Sequence, residues 1–258
     1  MPSDVMTPPC AAIVLAAGAG TRMDSDLPKP LHSVAGRAIV LRVLDALVGV
    51  DAAPIVVVVG HGEAQVRAAV RAEAPQADRL VFATQHIQLG TGDAASVGLS
   101  ALGQSPEPGD VLVLPGDTPL LRAVTLRQVV SERRRVDAAA SVLTAHVGDP
   151  AGYGRIVRAD GLIKIVEHRD ASPSQLRISE INAGVYCFRT PLLREALSGL
   201  SPQNAQSEYN LPDAIGVLAR GGETISAVTA LDPVEALGVN DADQLVACEA
   251  ALAARTGC

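Results

Sequence analysis

Ala11-Ala-Ile-Val-Leu15-Ala-Ala-Gly18-Ala-Gly20-Thr-Arg22 is the stretch that decides the fold. Its apolar run, residues 11–15, has the composition of a strand buried on both faces, and it breaks directly into the tight loop Gly18-Ala-Gly20. Outward from there, Ile39, Val43, Leu44 and Leu47 recur at helical spacing, and residues 54–60 hold four consecutive valines, a second buried strand. Residues 63–74, with Val66 and Val70 four apart, read as a helix. Two further short strands are expected over 80–84 and 111–114, with a helix over 93–102 between them. Such strand–helix alternation builds right-handed βαβ units and a mostly parallel sheet. The fold class expected is therefore α/β: Rossmann-like and doubly wound, a mostly parallel mixed sheet with helices on both faces.

The second half changes character. Residues 138–147 and 181–188 read as strands, and 154–157 and 162–168 flank Asp160-Gly161, a hairpin signal. A helix near 191–200, a strand over 225–231 and a closing helix over 242–255 complete the pattern. No internal repeat, long linker or low-complexity tract interrupts it. The expected organisation is a flexible tail, residues 1–10, and one domain over 11–258 with a soft internal boundary near Gly148.

Bulk properties narrow the function classes. Hydrophobic residues make up 48% of the 258, but aromatic residues only 2%, so the core must be built from Ala, Val, Leu and Ile. The net charge of −7 speaks against a sequence-independent nucleic-acid binder, while leaving room for a local basic pocket. Cys10, Cys187, Cys248 and Cys258 form no C-x-x-C pair and read as reduced thiols. No apolar run reaches the roughly 18 residues of a membrane span, and the start lacks the basic region of a signal peptide. A cytoplasmic protein without nucleic-acid or membrane partners is expected; no oligomeric state is assigned.

The chemistry concentrates in the glycine loop and the segment just after it. Glycines after a strand let the backbone approach a ligand and aim successive N–H groups at phosphate oxygens. Arg22 adds a bidentate fork and Lys29, in Leu27-Pro-Lys29-Pro-Leu31, a compact second charge. An ordinary glycine-rich strand–loop junction would look alike without that basic pair. The loop is neither G-x-G-x-x-G nor G-x-x-x-x-G-K-[ST], which sets a dinucleotide-binding dehydrogenase aside. Asp117 follows a buried strand, where α/β sheets hold ligands, although a turn or N-cap aspartate would occupy the same place.

Leu-Ala-Ala-Gly-x-Gly-Thr-Arg-Met with a downstream Leu-Pro-Lys resembles the signature of the sugar nucleotidyltransferases. More narrowly, it is similar to the uridylyltransferase half of the bacterial bifunctional N-acetylglucosamine-1-phosphate uridylyltransferases. Gln85-x-x-x-Leu-Gly90-Thr91-Gly92, Leu114-Pro-Gly-Asp117-Thr-Pro-Leu120, Gly152-Tyr-Gly-Arg-Ile156, Ile165-Val-Glu167-His168, Glu180-Ile-Asn182-Ala-Gly184 and Gly238-Val-Asn240 appear in that family's order. Each is weak alone; the ordered set, spanning about 11–252, is specific. The resemblance implies a nucleotide-facing half (11–147) and a sugar-facing half (148–258). It implies nucleotide contacts from Leu15, Ala16, Ala17, Gly18, Gly20, Thr21, Gln85, Gly90 and Thr91, and sugar contacts from Gly116, Tyr153, Gly154, Glu167 and Asn182. Arg22 and Lys29 would be catalytic, and Asp117 with Asn240 would hold Mg²⁺. Asn240 could equally be a helix cap, and Gln85 an ordinary surface glutamine. The implied reaction joins UTP and N-acetylglucosamine 1-phosphate into UDP-N-acetylglucosamine, with pyrophosphate leaving. Another nucleotide or sugar, or a binding-only paralogue, are the competing readings.

The chain departs from the family's pattern at three positions. Ala19 stands where lysine is frequent, Asp93 where histidine is common, and Pro212 where a hydroxyl residue is usual in a loop expected to enclose the sugar. No hexapeptide repeat occurs, so the acetyl transfer and trimer contacts of the bifunctional relatives are not expected.

Overall fold

The first strand, β1 (Cys10–Ala16), is apolar at every position because both of its faces are covered. Ala12, Val14 and Ala16 point into one core and Ala11 and Ile13 into another, as the two-residue period of a strand dictates. The computed structural model describes residues 10–103, 108–159 and 162–256. After β1 come two single 3₁₀ turns, Thr21–Met23 and Lys29–Leu31. A small hairpin, β2 (Ser33–Val34) and β3 (Arg37–Ala38), precedes α1 (Ile39–Val48), β4 (Ala52–Val59), α2 (Glu63–Glu73) and β5 (Leu80–Thr84). The chain then runs through α3 (Thr91–Ala101), β6 (Asp110–Pro115), α4 (Ala123–Arg135), β7 (Ala140–His146), β8 (Arg155–Ala159) and β9 (Leu162–Val166). It closes with β10 (Glu180–Arg189), α5 (Thr190–Ser198), α6 (Leu211–Arg220), β11 (Ile225–Thr229) and α7 (Ala242–Thr256).

Nine strands form one mixed sheet, ordered β11-β7-β10-β6-β1-β4-β5, with β8 and β9 attached beside β10. The β1–β4, β4–β5, β1–β6 and β7–β11 pairs are parallel, and β10 runs antiparallel between β6 and β7. One core takes Val43, Val66 and Val129 from α1, α2 and α4; the other takes Ala95, Leu193 and Ile215 from α3, α5 and α6. The sheet is thus doubly wound. α3 can lie close on it because residue 98 is glycine: a Cβ there would stand 2.5 Å from the Ile13 Cγ2 methyl. Cys10, Cys187 and Cys248 are buried free thiols.

The winding sets the site. From β1 the chain goes to β4 and β5 on one side, then crosses to β6 on the other. The loops leaving β1 and β6 therefore diverge, and the crevice beyond their carboxyl ends is where sheets of this kind admit ligands.

Several expectations shift. Cys10 belongs to β1 rather than to the tail, and α3 starts at Thr91, two residues early. Helices α4 and α6 and the β2–β3 hairpin are not among the elements expected from the sequence. Strands β8 and β9 pair antiparallel; the Asp160-Gly161 turn itself, like residues 1–9, falls outside the described residues.

Candidate active site

The loop after β1 is shaped by its surroundings. Gly20 has φ of 64°, the left-handed region that favours glycine, and a Cβ there would stand 2.5 Å from the Lys29 Cβ. Across the crevice, the Gly116 N–H donates to the Leu15 carbonyl at 2.8 Å, and a Cβ on Gly116 would collide with that same oxygen. Gly60, after β4, is pressed likewise against the Ala17 carbonyl. Three glycines at three strand ends thus let the loops close around one point.

Beyond them opens a cleft of about 400 Å³. Residues 15–21, Lys29, Gln85, Gly90, Thr91, Gly116 and Asp117 line it, so most of the expected nucleotide-side residues stand together. Arg22 does not join them: it is exposed in the turn Thr21–Met23, outside the cleft wall. Gln88 and Glu208 also line the cleft, and neither is expected from the sequence. Glu208 belongs to a loop stitched to the segment before α3. The Tyr209 N–H donates to Leu89, the Gly92 N–H to Tyr209, and the Leu211 N–H to the Thr91 hydroxyl. Thr91 accordingly serves as an acceptor at the start of α6. The loop expected to enclose the sugar thus contributes Glu208 to this cleft. Pro212 sits in the first turn of α6, where its missing N–H costs nothing, and outside the cleft lining.

The Lys29 Nζ donates to Asp117 Oδ2 at 2.5 Å and to Asn240 Oδ1 at 2.9 Å. A carboxylate and a carboxamide oxygen, from the ends of two different segments, thereby converge on one cation. Asp117 is held there by its own carbonyl, which accepts the Val239 N–H at 2.9 Å. Asn240 does not cap α7; Asp241 Oδ1 does, accepting from the Gln244 N–H at 2.9 Å, while Gln244 Oε1 takes the Asn240 N–H. The Asn240 side chain is thereby left to Lys29. The described residues contain no group of three or more His, Cys, Asp or Glu side chains suited to a metal. Two hard oxygens on a common cation point fit a metal that keeps phosphate and water as its remaining ligands.

The other expected residues, Tyr153, Gly154, Glu167 and Asn182, are not among those lining this cleft; the Asn182 N–H donates to the Gly154 carbonyl at 2.9 Å. A register shift in β10 between Asn182 and Tyr186, with Gly184 at φ 75°, brings residue 184 beside Pro115 of the cleft. The Asn182 amide donates to the Tyr186 hydroxyl at 2.6 Å, and its oxygen accepts the Gly184 N–H. Tyr186 is not among the residues expected from the sequence. The Tyr153 hydroxyl, its pKa raised by burial, is held at the Gly238 backbone near Asp117. Gly154 packs against Glu167: a Cβ there would stand 2.9 Å from Glu167 Oε1 and displace that carboxylate.

Burial, followed by Asp213 and Asp170, pushes the Glu167 carboxyl above the usual carboxylate range, with Arg155 opposing. The folded chain holds that proton more tightly than the unfolded chain. Stability is therefore lost as pH rises from the unfolded pKa through the raised folded one, and the penalty persists above it. Glu167→Gln removes the penalty. Thermal unfolding is expected to show a higher Tm than wild type at neutral pH, with the gap closing toward acid. A Tm lowered at neutral pH would contradict this.

Comparisons with known proteins point the same way. Residues 12–183, more than half of the chain, match the family described as MobA-like NTP transferase domain. The bifunctional protein GlmU of Carboxydothermus hydrogenoformans is 46% identical over 90% of this chain and 50% of its own length. That of Mycobacterium marinum is 46% identical over 91% and 48%. The chain thus spans about half the length of the curated relatives it matches. Among solved structures, a UDP-glucose pyrophosphorylase complexed with UDP-glucose superposes with a TM-score of 0.74 at 15% identity, covering 96% of this chain and 100% of that one. A putative glucose-1-phosphate thymidylyltransferase from Bacillus anthracis gives 0.74 at 19% identity, covering 94% of each. At such identities these two speak for the fold alone.

Proposed function

Because the chain belongs to the MobA-like NTP transferase domain family, we propose that it joins UTP to N-acetylglucosamine 1-phosphate, releasing pyrophosphate, with Mg²⁺ as the metal. The observation that carries this reading is the convergence of Asp117 and Asn240 on Lys29, where Lys29 and Asp117 line a glycine-walled cleft at the sheet's switch point. The similarity to GlmU proteins over nine-tenths of the chain supports the choice of substrates.

In this reading the backbone of residues 15–21 cradles the triphosphate, and Gly90 with Gln85 faces the base. Asp117 and Asn240 hold Mg²⁺, which neutralises phosphate charge when bound. Lys29 meets the charge that develops on the departing pyrophosphate, and Arg22 reaches in from the rim. Gly116, Tyr153, Gly154, Glu167 and Asn182 orient the sugar, with Glu167 accepting from its hydroxyls. The sugar phosphate is already an anion at neutral pH, so no protein nucleophile is needed, and its oxygen attacks the α-phosphorus in line. Catalysis rests on positioning and electrostatics. No helix among the described residues is long and apolar enough to cross a membrane, and we assign the activity to the cytoplasm, where nucleoside triphosphates are made.

UTP carrying one chiral α-thiophosphate tests the displacement. A single in-line attack inverts the configuration at phosphorus. Net retention would require a covalent enzyme intermediate and contradict the reading.

A further inference from the structure

We propose that Asp93 is the positioning residue for base selection, locking the Gln85 amide so that only its oxygen is offered to the nucleotide base; this rests on the nucleotide-cleft reading above. Gln85 is 3% exposed and lines the cleft after β5. Its Nε2 donates to the Gly90 carbonyl at 3.1 Å and to Asp93 Oδ2 at 2.8 Å. A carbonyl and a carboxylate oxygen can only accept here, so the atom between them must be the NH₂ group and not the oxygen. Both amide hydrogens are then engaged. The Gln85 oxygen has no partner among the described residues, and it is not sealed from the cleft.

The consequence is a one-sided recognition group. A free glutamine offers donor or acceptor by turning over; this one offers an acceptor. An acceptor suits the N3–H of a uracil or thymine imide. Cytosine in the same pose turns a lone pair toward it, leaving two acceptors face to face without a proton, and a buried unpaired acceptor is costly. Asp93 lies in the first turn of α3, where a carboxylate also suits the helix dipole, and the test must separate these roles.

Pyrophosphate release with UTP and with CTP gives the ratio of their kcat/KM values. Asp93→Leu is expected to lower the UTP:CTP ratio roughly ten-fold or more, through the nucleotide KM and not kcat. Asp93→Asn, which loses the charge but keeps an acceptor oxygen for Nε2, is expected to hold the ratio near that of wild type. Both variants lack the carboxylate, so a pure dipole role would affect them alike. Should Leu at 93 unfold the chain, Asp93→Ala is read in its place. An unchanged ratio in a folded Leu or Ala variant overturns the role of Asp93 while leaving uridylyl transfer by wild type standing. A wild-type chain that prefers CTP overturns both.

Discussion

Asp117→Asn is expected to cut turnover about a hundred-fold or more while leaving the fold intact. The side chain receives the Lys29 ammonium at 2.5 Å and shares that cation with Asn240. Removing one charge-assisted hydrogen bond costs on the order of 1.5–3 kcal/mol, about ten- to a hundred-fold in rate. Asn keeps the volume and removes the charge, so both the ion pair and the carboxylate ligand go together. The fold is protected because its link to the 238–240 segment runs through the Asp117 backbone carbonyl, which accepts from Val239. Initial rates of pyrophosphate release, with far-UV circular dichroism and Tm as the control, decide it. Turnover at the wild-type level would remove Asp117 from the metal role.

Lys29→Met is expected to lower kcat by a similar factor, about a hundred-fold. Methionine preserves the apolar stem, whose Cβ, Cγ and Cδ lie 2.5, 3.2 and 3.3 Å from where a Cβ on Gly20 would be. The substitution takes away the ammonium, and with it the neutralisation of the leaving group. Lys29→Arg is not expected to rescue, because a planar fork does not reproduce the compact point charge of the ammonium. A second readout is independent of activity. Without the ammonium, the two oxygens are left for a metal alone, so added Mg²⁺ should raise the Tm of the methionine variant more than that of wild type. Equal shifts would mean that Lys29 does not occupy the point a metal would take.

Much of this fold is legible in the sequence alone. Strands β1 and β4 announce themselves because burial on both faces demands continuous Ala, Ile and Val. Helix α4 does not, because its inward stripe of Leu126, Val129 and Val130 ends in Arg133, buried on Asp110 at 2.7 Å. A charged residue at a core position breaks the apolar periodicity that marks a helix. Helix α6 hides behind Pro212 and Gly216, which read as breakers yet are tolerated, the proline in the first turn. The site residues are readable as segments in order, but not their pairing. Lys29 lies 88 residues from Asp117 and 211 from Asn240, and only the doubly wound sheet brings them together. Nothing local in the sequence separates Arg22, which is exposed and outside the cleft lining, from Lys29, which lines the cleft. The hydrogen bond from Gln85 to Asp93 is likewise invisible until the start of α3 is seen to fold back on β5.

The central claim is the identity of the reaction, and pyrophosphate release with Mg²⁺ tests it most directly. UTP, dTTP, CTP and GTP are crossed with N-acetylglucosamine 1-phosphate, glucose 1-phosphate and galactosamine analogues. Strong release with UTP and the N-acetylated glucosamine, and weak release elsewhere, is the result predicted. No release with any pair, beside measurable binding of UTP, would contradict it and leave a chain that binds nucleotides without transferring them.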